Sequence, residues 1–288
     1  MQSLMKLNFD KRRRRRLGGV SLAGLALAAW PGTAHATDPF EIQVYDGTAN
    51  APGEFGLELH VNTVPVGLTT APSPEYPLNH QTHFTFEPSL GLFPWWELGG
   101  YFEMALRGDQ AFDYAGIKLR NKFVTPPTWS SHWRLGLNVE FSLLPNTYDR
   151  GRWANELRPI VAFENERVAI AVNPIVDTSF AGPDASLGPS FEPCVSVALK
   201  VWEHLSIGVE YYANLGPFST GFVPWREEEQ YVYEVVNVLE IKRFELNFGV
   251  GQGLTDASNP LVVKMILGYT WGQDPPRARA IPPMMAKR

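Results

Sequence analysis

Charged residues recur at every second position in several stretches of this sequence. Lys118, Arg120 and Lys122 form the clearest run, and Glu58 and His60 repeat the spacing with an acid and an imidazole. In an extended strand, residues i and i+2 lie on the same face, so each run brings its charged groups together. Such rows could select solutes in a pore, or they could pair with charges on neighbouring strands and stiffen a filled interior.

If these strands close into a barrel, the same alternation places many more charges on the inner face. The candidates for lining a pore are Glu58, His60, Glu87, Glu103, Lys118, Arg120, Lys122, Arg134, Glu140, Arg158, Glu210 and Lys264. The pattern assigns Glu234 and Glu245 to that face as well. About twelve strands lie between the barrels that side chains fill and those that leave an open channel. The sequence therefore predicts a narrow charged lumen and leaves open whether it conducts.

A catalytic reading rests on His80 and His83, which lie near Glu87 and are the best local group of bases. The sequence contains no G-x-S-x-G, no H-E-x-x-H and no acidic calcium loop of recognised spacing. We therefore predict no catalytic residue, no metal and no cofactor. Two alternatives to a channel remain, namely a lipid-modifying enzyme and an adhesive barrel that binds an outside partner through Trp225 in the loop Asn214 to Gln230.

The elements that must carry these residues have the period of β-strands. From Glu54 onward, twelve segments of about ten residues alternate apolar with polar or small side chains, and the last of them is Leu261 to Trp271. Short and long connections between them also alternate, which is typical of outer-membrane barrels with periplasmic turns and extracellular loops. This arrangement places both termini in the periplasm. A soluble sandwich would show the same alternation with its apolar face inward.

Aromatic residues favour the barrel over the sandwich. One group falls at the strand ends that adjoin the short turns, and Phe112, Tyr114 and Trp153 fall towards the opposite ends. Two such belts suit the two interfaces of a lipid bilayer. The predicted membrane-interface residues at the short-turn end are Trp95, Trp96, Trp133, Trp202, Tyr269 and Trp271.

The first 36 residues have the features of a signal peptide. Five arginines, Arg12 to Arg16, precede an apolar stretch of 14 residues, and Ala34-His35-Ala36 offers small residues at the cleavage positions. Loss of this leader removes seven of the 25 basic residues and one of the 30 acidic residues. The mature chain therefore carries 18 basic and 29 acidic residues. Nucleic acid is therefore not an expected partner.

Composition bounds the remaining fold classes. After the leader, no apolar run approaches the 18 residues that a membrane helix needs, so a closed barrel is the expected way to cross a membrane. Cys194 is the single cysteine, and it has no partner for an intramolecular disulfide.

We accordingly divide the chain into four parts: residues 1–36 as the signal peptide, 37–53 as a periplasmic lead-in or short plug, 54–271 as the barrel, and 272–288 as a disordered periplasmic tail. The last strand ends at Tyr269 and Trp271. These aromatics resemble the terminal signal read by barrel-assembly machinery, although here the chain continues beyond them. The expected partners are outer-membrane lipids, that machinery and a small solute whose identity the sequence does not reveal.

The opening of the mature chain carries a family resemblance. Residues 40–46 (FEIQVYD) and 52–60 (PGEFGLELH) resemble the start of proteobacterial outer-membrane proteins similar to the transporter group named for the meta-pathway of phenol degradation. The resemblance implies an outer-membrane location and a transport role, and it identifies no substrate.

Overall fold

The computed structural model describes residues 38–241 and 243–272, and these form a sequence of β-strands. No helix in this part of the chain is long and apolar enough to cross a membrane. The strands are β1 (Phe55–Val66), β2 (Thr82–Phe93), β3 (Trp96–Leu106), β4 (Phe112–Val124), β5 (Trp133–Leu143), β6 (Trp153–Glu164), β7 (Val168–Ala181), β8 (Ser190–Trp202), β9 (Leu205–Asn214), β10 (Glu229–Ile241), β11 (Phe244–Gly253) and β12 (Leu261–Trp271).

The twelve strands form one closed antiparallel barrel. Each strand pairs with its neighbours in the sequence, and β1 pairs with β12 to close the ring, with Leu59 opposite Leu267. Closure leaves no strand edge with unpaired N–H and C=O groups, which is the condition for a β-structure to cross a bilayer. The predicted transmembrane barrel is therefore confirmed, and the sandwich alternative is excluded.

The two faces of each strand differ in the way that a lipid-facing barrel requires. On β5, Leu135 and Phe141 are half exposed on the outside, whereas Asn138 and Glu140 are fully buried on the inside. A water-soluble protein would bury the apolar set. Apolar residues outside and polar residues inside are expected of a barrel whose solvent is lipid.

Connections of different length separate the two ends of the barrel. The strand pairs β2–β3, β6–β7 and β8–β9 are joined at 94–95, 165–167 and 203–204, and we call this end the short-turn end. The opposite, long-loop end carries connections such as 67–81 and 215–228. The link 125–132 at the short-turn end is longer than its neighbours.

Aromatic side chains are concentrated at the short-turn end. Phe93, Trp95, Trp96 and Phe123 stack on one another with centroid separations of 5.5–6.2 Å. Five of the six predicted interface residues, namely Trp95, Trp133, Trp202, Tyr269 and Trp271, are exposed on the outer surface, and Trp96 is partly exposed. Their position in a headgroup layer stays a prediction.

One strand departs from the face assignment made from the sequence. Tyr233 and Val235 of β10 are buried inside the barrel, so Glu234 between them is exposed on the outer face. The assignment of Glu234 to the interior was therefore wrong. The error arose because β10 is apolar on both faces and a lone acid was taken to mark the inner one. The predicted signal peptide and all but the first residue of the predicted tail lie outside the described residues.

Candidate functional site

The interior of the barrel contains the chain's own N-terminal stretch, residues 38–53, which we call the luminal segment. Its carbonyl groups accept hydrogen bonds from side chains on several walls of the barrel. Thr85 Oγ1 on β2 donates to Phe40 O at 3.0 Å, and Lys264 Nζ on β12 donates to Ile42 O at 2.9 Å. Residues 40–45 of the segment thus take main-chain partners from wall side chains in place of a neighbouring strand.

Tyr45 is a buried anchor of the luminal segment. Its backbone N–H donates to Asn173 Oδ1 at 2.7 Å, and its backbone O accepts from Asn173 Nδ2 at 3.0 Å. Its hydroxyl lies 2.6 Å from the hydroxyl of Tyr101, and the Arg158 guanidinium lies 4.4 Å from its ring centroid. These contacts attach one residue to β3, β6 and β7 at the same time.

The segment then turns and leaves through the short-turn end. Arg134 Nε donates to Asp46 O at 2.8 Å. Gly47 has φ +75°, and a Cβ there would lie 2.9 Å from Arg134 Cβ, so this turn requires glycine. Near β1, Asn50 N donates to Glu97 Oε2 at 2.6 Å, and Gly53 N donates to Gly91 O at 2.8 Å. These last contacts connect the segment to the first turn of the barrel.

The charges predicted from alternation form a connected network around the segment. On β4, Arg120 contacts Glu87 and lies 2.5 Å from Glu97, while Lys122 lies 2.8 Å from Glu97. Lys118 lies 3.6 Å from Glu103. The basic run is therefore paired with acids on β2 and β3, as the paired-charge reading of the sequence proposed.

The luminal segment also takes part in this network. Its Asp38 contacts Lys118, and Glu41 lies 3.2 Å from Arg158 Nη1 and 3.8 Å from Lys118 Nζ. The Glu41 side chain is fully buried. Removing the segment would leave Arg158 and Lys118 with fewer acidic partners than they have here, and this links its position to the electrostatics of the wall.

A second part of the interior is occupied by aromatic and apolar side chains. Lys264 Nζ donates to Glu210 Oε2 at 2.5 Å and to Tyr212 Oη at 3.2 Å. A buried cluster surrounds this pair and includes Ile42 of the luminal segment together with Val64, Ile175, Cys194, Tyr212, Tyr231, Tyr233, Val235 and Val262.

All twelve residues predicted to line the interior belong to the inner faces of their strands. Whether they line a conducting path stays a prediction. The base cluster predicted around His80 and His83 does not form a catalytic pair. His83 is buried, lies 3.1 Å from Gln81 Oε1 and packs edge-on against Phe40, whereas His80 is exposed in a loop with φ 61°.

Sequence reasoning missed one convergence of side chains. Glu58, His60 and Glu87 place one potential ligand atom each within 4.8 Å of one another, and within residues 38–241 and 243–272 they are the group of acidic and histidine side chains arranged so that it could hold a metal ion. The signal was present in part, because Glu58 and His60 share a face. The proximity of Glu87 depends on the β1–β2 register.

The fold is similar to that of solved outer-membrane barrels. The COG4313 outer membrane channel from Pseudomonas putida F1 matches with a TM-score of 0.56 at 12% identity, over 80% of this chain and 100% of that one. The KdgM porin (TM-score 0.49, 8% identity, 75% and 99% covered) and the NanC porin (TM-score 0.49, 7% identity, 76% and 100% covered) also match. No protein-family model and no curated protein matches the sequence.

Proposed function

We propose that the protein is a passive outer-membrane channel for small solutes and that its luminal segment closes the lumen at rest. The observation that carries the proposal is that the main chain of the segment is held from opposite walls. Lys264 lies on β12 and Arg158 on β6, six strands apart in the ring, and both donate to carbonyls of the segment, at 2.9 and 3.2 Å. A chain bonded to both of these walls spans the bore.

The hydrogen bonds that hold the luminal segment are of a kind that favours a segment able to leave the lumen over one that fills it permanently. The hydrogen bonds from Thr85, Lys264, Arg158 and Asn173 come from side chains, so the segment belongs to no strand ladder. Each such bond contributes about 0.5–1.5 kcal/mol, or somewhat more where the donor is charged. Displacing residues 38–50 leaves the closed barrel and its strand-to-strand hydrogen bonds intact.

The inner wall would then act on the solute through its charges. Lys118, Arg120 and Lys122 form a basic row on β4, and Glu87, Glu97 and Glu103 face it from β2 and β3. Rows of opposite charge on adjoining walls favour polar or charged solutes that are small enough to pass between them.

The remaining assignments extend this proposal. Export by a cleaved leader and recognition of the strand end at Tyr269 and Trp271 by barrel-assembly machinery agree with an outer-membrane location. The resemblance of residues 40–46 and 52–60 to the group named for the meta-pathway of phenol degradation supports a transport role. It adds no substrate.

Liposome swelling tests the proposal. The mature chain and a chain lacking residues 38–50 are reconstituted and challenged with neutral, anionic and cationic solutes of graded size. We expect slow swelling with the mature chain and faster, size-limited swelling without the segment. Heat-modifiable gel mobility shows that both barrels are folded. If neither folded barrel makes liposomes swell faster than empty ones for any solute, the protein is not a channel.

A further inference from the structure

We propose that Glu58, His60 and Glu87 form a binding site for a divalent transition metal ion, with Zn²⁺ as the representative ligand, on the inner wall where β1 meets β2. Glu58 and His60 are two residues apart on β1, so both face inward. Glu87 on β2 is the register partner of Glu58. Two paired strands thus bring three ligand side chains together without a loop.

The separations between the ligand atoms match those around a bound metal ion, and they are also short enough for ion pairs between a protonated His60 and the two carboxylates. His60 Nε2 lies 3.4 Å from Glu58 Oε2 and 3.2 Å from Glu87 Oε2. Around a tetrahedral Zn²⁺ with bonds of about 2.0–2.1 Å, neighbouring ligand atoms are about 3.3–3.4 Å apart. A direct N–H···O hydrogen bond has its commonest length at about 2.9–3.0 Å.

Two of these three ligand atoms, His60 Nε2 and Glu87 Oε2, are buried and lack aligned hydrogen-bond partners. Both ring nitrogens of His60 and Oε2 of Glu87 make no hydrogen bond within the described residues, although the two side chains are 0% and 1% exposed. Leaving such groups unsatisfied is costly, and each one normally has a partner. A cation shared by the three side chains would satisfy one nitrogen and two carboxylates.

The charges of the two carboxylates give a second, independent reason to expect a cation at this position. Glu58 and Glu87 stand directly opposite each other on adjacent strands, and like charges in this position are destabilising. Arg120 contacts the other oxygen, Oε1, of Glu87. A divalent ion between the two Oε2 atoms would reverse their repulsion, while Arg120 would orient Glu87 from its far side, as partners of metal-bound carboxylates commonly do.

The ligand set indicates which metals fit. One imidazole and two carboxylates suit Zn²⁺ and similar transition metals, whereas Ca²⁺ takes six to eight oxygen ligands. A fourth ligand is available from Gln43 of the luminal segment. Its Nε2 lies 3.3 Å from Glu58 Oε2, and its own amide oxygen is buried and without a hydrogen-bond partner. Rotation of this amide would turn the oxygen towards the cluster.

Metal binding to the purified mature chain tests the site independently of channel activity. After chelator treatment, the folded protein is titrated with Zn²⁺ by calorimetry and with Co²⁺ by visible absorption. We expect one ion per chain and a Co²⁺ spectrum typical of nitrogen and oxygen ligands. His60→Gln should weaken Zn²⁺ binding by more than the 10- to 100-fold typical of an outer-shell loss, and Glu58→Gln should weaken it as well.

His83→Gln is the matched control, because His83 is another buried histidine of the same lumen and contacts Gln81. It should bind Zn²⁺ as the unaltered chain does. The proposal is overturned if the unaltered chain binds no more tightly than His60→Gln, or if His83→Gln loses binding to the same extent. Heat-modifiable mobility of each variant separates loss of the site from loss of the fold.

Discussion

Asn173 on β7 holds the main chain of Tyr45 with both ends of its side-chain amide, at 2.7 Å to the backbone nitrogen and 3.0 Å from the backbone oxygen. This is the pairing that a neighbouring strand would supply, and here one side chain supplies it. Asn173 is fully buried, so water cannot replace these bonds while the segment is in place. The position of the luminal segment thus depends on a few identifiable wall residues.

Replacing Asn173 with alanine should open the channel more often. Loss of two hydrogen bonds at about 1 kcal/mol each favours displacement of the segment by about 2 kcal/mol, or roughly 30-fold in the open-to-closed ratio. Planar-bilayer recordings measure this ratio. Asn237→Ala is the control, because Asn237 bonds to Ser206 and Asn247 and not to the luminal segment. Equal open probabilities for the two variants would contradict the anchoring role.

Cys194 offers a native thiol as a probe of the same movement. It is buried at 1% exposure in the cluster that contains Ile42 of the segment. We expect a water-soluble thiol reagent to modify Cys194 slowly in the mature chain and much faster in a chain lacking residues 38–50. Mass spectrometry of the folded proteins over time measures both rates. Similar rates would mean that the segment does not shield this wall.

The closure should weaken in acid. Burial raises the pKa of Glu41, but the charges of Arg158, Lys118 and His60 lower it by more, so that the pKa falls from an ordinary value of 4.5 to about 2. A carboxyl with a lower pKa when docked than when free favours docking fully above pH 4.5, and this contribution is lost as the pH falls towards 2.

Recordings of the mature channel from pH 8 to pH 3 test this dependence. Opening should stay constant down to about pH 5 and increase below pH 4.5, in line with the pKa of Glu41. Glu41→Gln should open more often at every pH, because Arg158 loses an acidic partner, and should show a weaker rise in acid. An opening that increases with rising pH would contradict the assignment.

Lys122→Glu should change the ion selectivity of the barrel. In a chain lacking residues 38–50, reversing this charge on the inner face of β4 should move the reversal potential in a salt gradient towards the value for a cation-selective pore. Glu234→Gln is the control, since Glu234 faces outward on β10. If both substitutions leave the reversal potential unchanged, the β4 row does not face the conducting path.

The outward position of Glu234 makes a prediction about stability. Its register partners on the two adjacent strands are Val209 and Val250, so the carboxylate lies in an apolar surface. A charge on the lipid face costs up to about 2–4 kcal/mol for a base at mid-bilayer and less for an acid. Glu234→Val should therefore raise the free energy of unfolding by about 1 kcal/mol, measured by urea titration in lipid vesicles. A loss of stability would place Glu234 inside.

The sequence predicted most of the wall and little of what fills it. Strict alternation, as in Leu135 to Leu143, identifies both the strand and its faces, because one face must meet lipid and the other cannot. The same logic failed at Glu234, where neighbouring strands and not local polarity determine the register.

The luminal segment could not be derived in the same way. Residues 40–46 show no periodicity that indicates a position, and their partners, such as Asn173 and Lys264, lie more than 100 residues away. Likewise, the approach of Glu87 to His60 depends on the pairing of β1 with β2, across a 15-residue connection at 67–81. Such long-range contacts are fixed by closure of the barrel.

The most direct test of a channel closed by its own segment is the unitary conductance of three samples in one bilayer system: the mature chain, the chain lacking residues 38–50, and the latter with a peptide of residues 38–53 added. We predict small or rare steps for the first, larger and frequent steps for the second, and block of the second by the peptide. The same unitary conductance and open probability for the mature and shortened chains would contradict the account.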